Sequence, residues 1–289
     1  HSIFFAFLVA LLIWFSTKDR RFTFGGLQAV FLHILLDYTT SAKMRPFYPF
    51  STEESALRAI YPFDPILNLL PLLPLYIVAS EFVKNSWSTK DRDTWNRKLN
   101  GLNRFHSLVN RNEKKFYASV ILVLLLWIVV FPVAKISLIR HVSDTEGTEI
   151  SYRNTYPISI GKFLAAYSYS DTHYKLIKVS YWSGVEKSFY VEKVSVTGNV
   201  PDAQAYAERA GKLYSASVPQ AIDYPVYSVS EENGLVTVVL SDARNPYVDK
   251  WPYFDTVYRF VFDRESGEYE VYESHYGRPE KKLDKNYFE

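Results

Sequence analysis

Residues 116 to 138 form a run of 23 residues that contains one charge, Lys135. As an α-helix rising ~1.5 Å per residue it would extend ~34 Å, enough to cross the ~30 Å hydrocarbon core of a bilayer. The rest of the chain divides around this run. Residues 1 to 138 carry 16 Lys+Arg against 9 Asp+Glu, and residues 139 to 289 carry 17 against 22. Of 23 tyrosines, 18 follow residue 138, whereas the other long apolar runs all precede it. This split excludes a uniform soluble globule. A hydrophobic content of 48% excludes a disordered chain. The expected fold class is an α-helical membrane bundle of about four spans, followed by a mainly antiparallel β (α+β) extracytoplasmic domain. The boundary is expected near residue 140, with 1–140 as the membrane domain and 141–289 as the soluble domain.

Three further runs supply the other spans. Residues 3 to 15 are thirteen consecutive apolar residues. The run from 22 to 36 is interrupted by Gly25, Gly26, Gln28 and His33, and the run from 65 to 79 contains three prolines and Asn68. Membrane helices tolerate such interruptions where neighbouring helices satisfy the freed backbone groups. The chain opens at His1-Ser2 with no basic leader, so it reads as a piece of a longer reading frame. Lys and Arg collect on the cytoplasmic side of membrane proteins. Lys18, Arg20 and Arg21 after the first run, and nine basic residues between 84 and 115, therefore face inward. The segment from 38 to 61 holds three basic residues and faces outward, as does everything after the fourth run. The expected location is the cell membrane, with the C-terminal domain extracytoplasmic.

In that topology His1, His33, Asp37 and Asp64 all fall on the outer side. The cysteine count is zero, so a disulfide framework, a Cys-based zinc site and a thiol nucleophile are excluded, and a metal must rest on His, Asp or Glu. His33 and Asp37 are four residues apart and project from one helical face. An imidazole and a carboxylate so placed can share one divalent cation, or the carboxylate can orient the imidazole. They can also bond only to each other and serve to pack the helix. Ionisable groups within apolar spans are costly and usually functional.

Three stretches together carry a resemblance. They are His1-Ser2 before an apolar helix, His33-Ile34-Leu35-Leu36-Asp37-Tyr38-Thr39-Thr40, and Arg45-Pro46-Phe47-Tyr48-Pro49-Phe50-Ser51. The first 80 or so residues resemble the YdjM-like family of membrane-bound metal-dependent hydrolases. Its members show H-R-G-x-T-H-S, then H-x-L-x-D followed by Thr, then an aromatic-Pro-Phe stretch. The resemblance places His1, His33 and Asp37 on the family's metal-ligand positions. It implies a divalent metal, with zinc the expected ion, and hydrolysis of an unnamed substrate. A preceding P-D-x-D-H motif and most of H-R-G-x-T-H-S are absent from this sequence, and Ser41-Ala42-Lys43 replaces a glycine common in the family.

After residue 140 the pattern becomes alternating. Strands are expected over 174–182 and 188–196 around Ser183-Gly184, over 225–230 and 235–240 around Asn233-Gly234, and over 256–262 and 269–273. A helix is expected over 201–215, with Pro201 in its first turn and Asp202 at its N-terminus. His141, His173 and His275 are isolated and read as ordinary residues. Asp242-Ala243-Arg244 reads as an ion pair at a strand end, with a binding surface as the alternative, and the tyrosines as strand-face and core residues. No Gly-rich phosphate loop, nucleophile elbow or zincin motif is present. The basic loop from 84 to 115 is expected to meet anionic lipid, so no nucleic-acid partner is anticipated.

Two functions follow. The first is a metal-dependent hydrolase acting on an ester or phosphoester at the outer face, the substrate a lipid or envelope component. In it His1, His33 and Asp37 hold the ion, and Asp64 is a fourth ligand or general base. The second is a non-catalytic membrane protein whose outer β domain binds an envelope component or protein partner.

Overall fold

The computed structural model describes residues 2–40, 44–53, 55–70, 72–73, 109, 111–216, 222–248, 256–275 and 278–284. The chain divides into two compact units, one of residues 1–137 with 159–161, the other of 138–158 with 162–289.

The first unit begins with two helices, α1 (Ile3–Thr17) and α2 (Arg20–Thr39). Ser2 caps α1, its hydroxyl accepting the Phe4 N–H at 3.2 Å. At the other end Lys18 adopts the left-handed conformation (φ 53°) and donates its N–H to the Trp14 carbonyl. The buried residues of α1 are Ala6 and Ala10, small enough to let a neighbouring backbone come close. Gly26 of α2 does the same from the other side, since a β-carbon there would lie 2.3 Å from Cδ1 of Ile13. The terminal carbonyls of α2 are taken up by the chain that follows. Leu57 N–H donates to Tyr38, and the Ala59 and Ile60 amides both donate to Thr39. A short helix α3 (Pro65–Leu69) comes next.

Helix α4 (Glu113–Glu146) contains the long apolar run. Its one charge does not reach out to solvent. Lys135 is fully buried and donates to the carbonyls of Leu57 (3.2 Å) and Arg58 (3.0 Å). Leu36, Ala59, Ile60, Leu67, Trp127 and Ile128 pack in one apolar cluster beside it.

Of the four expected spans, the structure supports one by length and composition. Among the described residues, the helix over 114–146 is the one long and apolar enough to cross a membrane. Helix α1, with 15 residues, reaches only ~22 Å at ~1.5 Å per residue. Helix α2 has the length but also carries Arg20, two glycines, Gln28, His33 and Asp37. In the third run a helix covers Pro65–Leu69, residues 72–73 are also helical, and residues 71 and 74–79 lie outside the described residues.

The second unit contains two sheets. The first has the order β1 (Tyr156–Ser159), β2 (Lys162–Ser168), β3 (His173–Ser180) and β4 (Gly184–Glu192). The second is six-stranded, in the order β10-β9-β8-β7-β6-β5. Its strands are β5 (Val194–Thr197), β6 (Pro225–Glu232), β7 (Leu235–Asp242), β8 (Val257–Asp263), β9 (Tyr269–Ser274) and β10 (Lys281–Lys282). Every pair from β6 to β10 is antiparallel. Strands β5 and β6 are parallel, and the connection between them contains α5 (Ala203–Ala216). Ala207, Ala210 and Tyr214 of α5 pack onto Val229, Val236, Val238, Phe260 and Phe262 of the sheet. In the first sheet Phe163, Ala165, Ile177 and Val179 form a core with Leu138, Ile139 and Val142 from the end of α4.

Two expectations for this half change. The strand expected over 188–196 is two strands in different sheets. Lys193 is the crossover: its N–H donates to Thr172 on one side, and its carbonyl accepts from Tyr227 on the other. Helix α5 starts at Ala203, two residues later than expected, because Asp202 has φ 62° and cannot occupy a helical turn. The Asn233-Gly234 hairpin forms as expected, with φ 53° and 78° at the two turn residues.

Candidate functional site

His33 and Asp37 lie on the last turns of α2, with His33 Nε2 3.5 Å from Asp37 Oδ2 and side chains 61% and 25% exposed. The helix end that carries them is fixed locally. Thr39 is fully buried and its hydroxyl donates to Leu36 O, while Thr40 donates to Asp37 O. A direct N–H···O bond favours ~2.7–3.2 Å. Two atoms bound to one tetrahedral zinc at ~2.0–2.2 Å are instead ~3.4 Å apart. At 3.5 Å the two side chains are in contact across one helical turn, and the same separation is that of two atoms on one edge of such a coordination shell.

The other expected members are placed differently. Asp64 is buried, and Oδ1 accepts the amides of Ile66 (2.8 Å) and Leu67 (3.2 Å), so it caps α3 ahead of Pro65. His1 lies outside the described residues. Among the described residues no three His, Asp or Glu side chains are grouped to hold a metal ion, so Asp64 does not join the pair in such a group.

The three stretches that carry the family resemblance do meet. The Ser2 hydroxyl donates to Tyr48 O, and Ile3 N–H donates to Pro46 O at 2.9 Å. Phe4 meets Phe50 edge-on with ring centroids 5.8 Å apart, and Phe5 stacks with Tyr48. Between this turn and the helices is an apolar cavity of about 290 Å³, lined by Ile3 of α1, by Phe31, Ile34, Leu35 and Tyr38 of α2, and by Pro46 and Phe47 of the turn. The Tyr38 hydroxyl pairs with Ser55 Oγ at 3.1 Å. Sequence reasoning missed the contributions of Ser2, Ser55 and Lys135. Ser2 alone left a local signal, a serine directly ahead of an apolar helix.

In the second unit the Asp242-Ala243-Arg244 ion pair is part of a larger buried cluster. Arg244 is fully buried and donates to both carboxylate oxygens of Asp242, to Asp223 and to the Asn154 carbonyl. Its guanidinium also lies 4.6 Å from the Tyr156 ring centroid and 4.9 Å from that of Tyr224. Burial opposes the charge, but the Asp242 and Asp223 carboxylates outweigh it and hold the guanidinium above its ordinary pKa. Tyr224 donates to Ala166 O, which ties the six-stranded sheet to β2. A smaller group joins Lys175 and Tyr167 to Glu146. The hydrogen bond from Lys175 to Glu146 raises the lysine's pKa. Burial and then the Glu146 carboxylate push Tyr167 up to about 12. His173 and His275 each bond a threonine hydroxyl, Thr172 and Thr256.

No curated protein and no solved structure matches the chain. Residues 1–137 match the family model described as YdjM inner membrane protein. The match ends where the second compact unit begins, and it contains His33, Asp37 and the aromatic-proline turn. Over these residues, 137 of 289, the chain is similar to the YdjM inner membrane protein family.

Proposed function

We propose that this membrane protein is a metal-dependent hydrolase whose ion is held by His33 and Asp37 of α2 together with His1. The observation that carries this reading is the 3.5 Å separation of His33 Nε2 and Asp37 Oδ2, set by one helical turn. His33 offers an imidazole nitrogen and Asp37 a carboxylate oxygen, one helical turn apart on the same face of α2. A divalent ion, with zinc expected, supplies an acidified water and polarisation of an ester or phosphoester. Asp64, if it acts as a base, does so through Oδ2, because Oδ1 is engaged by two backbone amides. The substrate in this reading is a lipid or another envelope component.

The reading includes a topology. We assign α1, α2 and the run from 65 to 79 to the membrane alongside α4, with the domain after residue 140 extracytoplasmic. Its support is the asymmetry of twelve Lys+Arg in the two inner loops against three in the outer one. Alkaline phosphatase fused after Ser143 should be active and a fusion at Asn100 inactive. The opposite pattern reverses the orientation.

A second reading makes the protein non-catalytic, with the outer β domain binding an envelope component or protein partner and the polar pair packing the helices. It is favoured by Asp64, whose Oδ1 is engaged by the Ile66 and Leu67 amides as a helix cap. Metal content separates the two. Purified protein that holds a divalent ion, and loses it on His33→Ala or Asp37→Ala, supports the hydrolase.

A further inference from the structure

The aromatic-proline turn has no part in the metal reading, yet it is joined to both helices. Its backbone is tied to the start of α1 through Ser2 and Ile3, and its Pro46 and Phe47 close one side of the cavity. Every side chain lining that cavity is aliphatic, aromatic or proline. The one polar atom among them, the Tyr38 hydroxyl, is engaged with Ser55. The lining is therefore predominantly apolar, a surface that accepts apolar guests. The volume of about 290 Å³ is roughly twice that of the ~150 Å³ cavity that admits a benzene ring. Beside it Phe47 is 61% and Phe50 84% exposed, and Tyr48 43%. Tyrosine is enriched at the membrane–water interface, where acyl chains begin, and Tyr48 lies among these exposed rings.

From these features we infer that the cavity between α1, α2 and the aromatic-proline turn is a binding site for the acyl chain of a bilayer lipid. The chain enters beside Phe47 and lies against Phe31, Ile34 and Leu35, held by dispersion contacts with walls that already have their shape. The site needs neither His33 nor Asp37, so it holds whether the protein is a hydrolase or not. A second copy of the chain is a poorer occupant, since the lining is a chamber and not a flat face.

The test uses the purified protein in liposomes containing phosphatidylcholine with a photoactivatable diazirine on one acyl chain. After illumination, adducts are mapped by peptide mass spectrometry. Adducts should concentrate on Phe31, Leu35 and Phe47, above those on the exposed α4 residues Leu126 and Val130. Unlabelled oleate in excess should remove the cavity adducts and leave those on α4. Leu35→Trp, which fills the chamber, should also abolish them, with the α4 adducts reporting that the protein is still folded. If the Trp variant does not fold, the oleate competition decides alone. Cavity adducts at or below the α4 level, or unaffected by oleate, overturn the proposal. So does labelling by a soluble aromatic diazirine with none by the lipid.

Discussion

Replacing Arg244 with methionine removes a charge but keeps much of the side-chain bulk, so it probes the buried cluster more than the packing. Asp242 is 2% exposed and its two oxygens accept three of the arginine's hydrogen bonds, one from the backbone and two from the side chain, while a fourth bond goes to Asp223 and a fifth to Asn154. Without the guanidinium, the buried Asp242 carboxylate keeps only neutral backbone donors, the amides of residues 223, 224 and 244. Breaking a buried pair by removing one partner costs ~3–5 kcal/mol, because the remaining charge is uncompensated. Each ~1.4 kcal/mol is a factor of ten in an opening equilibrium, so amide exchange through opening of this domain should accelerate ~100-fold or more. The assay is hydrogen exchange with mass spectrometry on peptides covering β6 and β7, compared with peptides of α4 in the same sample. Asp223→Asn should cost less, ~1–2 kcal/mol, since that carboxylate is 19% exposed and shares the cation. Exchange from β6 and β7 that speeds up less than about tenfold in Arg244→Met, below ~1.4 kcal/mol, would refute the claim that this cluster holds the two sheets together.

Other outcomes follow from the same contacts. Tyr167 and Lys175 both have pKa values raised in the folded protein, so their contribution is complete below their unfolded values and is lost as pH rises through the folded ones. Stability of the β domain should therefore fall between the ordinary tyrosine value of 10.0 and about 12, measured by urea unfolding across that range, and a flat profile would contradict it. Lys135→Met should destabilise the membrane unit by ~1–3 kcal/mol, since it leaves the Leu57 and Arg58 carbonyls without their donor. The readout is thermal aggregation in detergent, and an unchanged midpoint would show that the two bonds contribute nothing net.

The parts of the fold that were legible in the sequence were those set by local pattern. The apolar run of α4 has one charge in 23 residues, and the Asn233-Gly234 turn needs two positive φ values that those residues adopt readily. The switch at Lys193 left a signal that a single-strand reading passes over, since the apolar positions run Phe189, Val191 and then Val194, Val196, a change of phase at Glu192-Lys193. The Asp64 cap was written in the Asp64-Pro65 pair and could have been read as a helix start. For Arg244 the partner two residues away was visible, whereas Asp223 and Asn154 depend on the sheets meeting. The His33 and Asp37 spacing was visible as one helical turn, and its 3.5 Å separation follows from that spacing. What brings Ser2 to Tyr48 is the return of the chain after α2, which no periodicity encodes.

The account's central claim concerns the pair on α2, and elemental analysis of the purified protein tests it most directly. The unaltered protein, dialysed against zinc and then washed, should retain a divalent ion. His33→Ala and Asp37→Ala should each lose it while the hydrogen exchange of α1 and α4 stays unchanged, because the pair is partly exposed and removing either side chain leaves the helix contacts in place. Equal metal content in the unaltered protein and in the double variant would contradict the ligand assignment and leave the pair as a helix-packing contact.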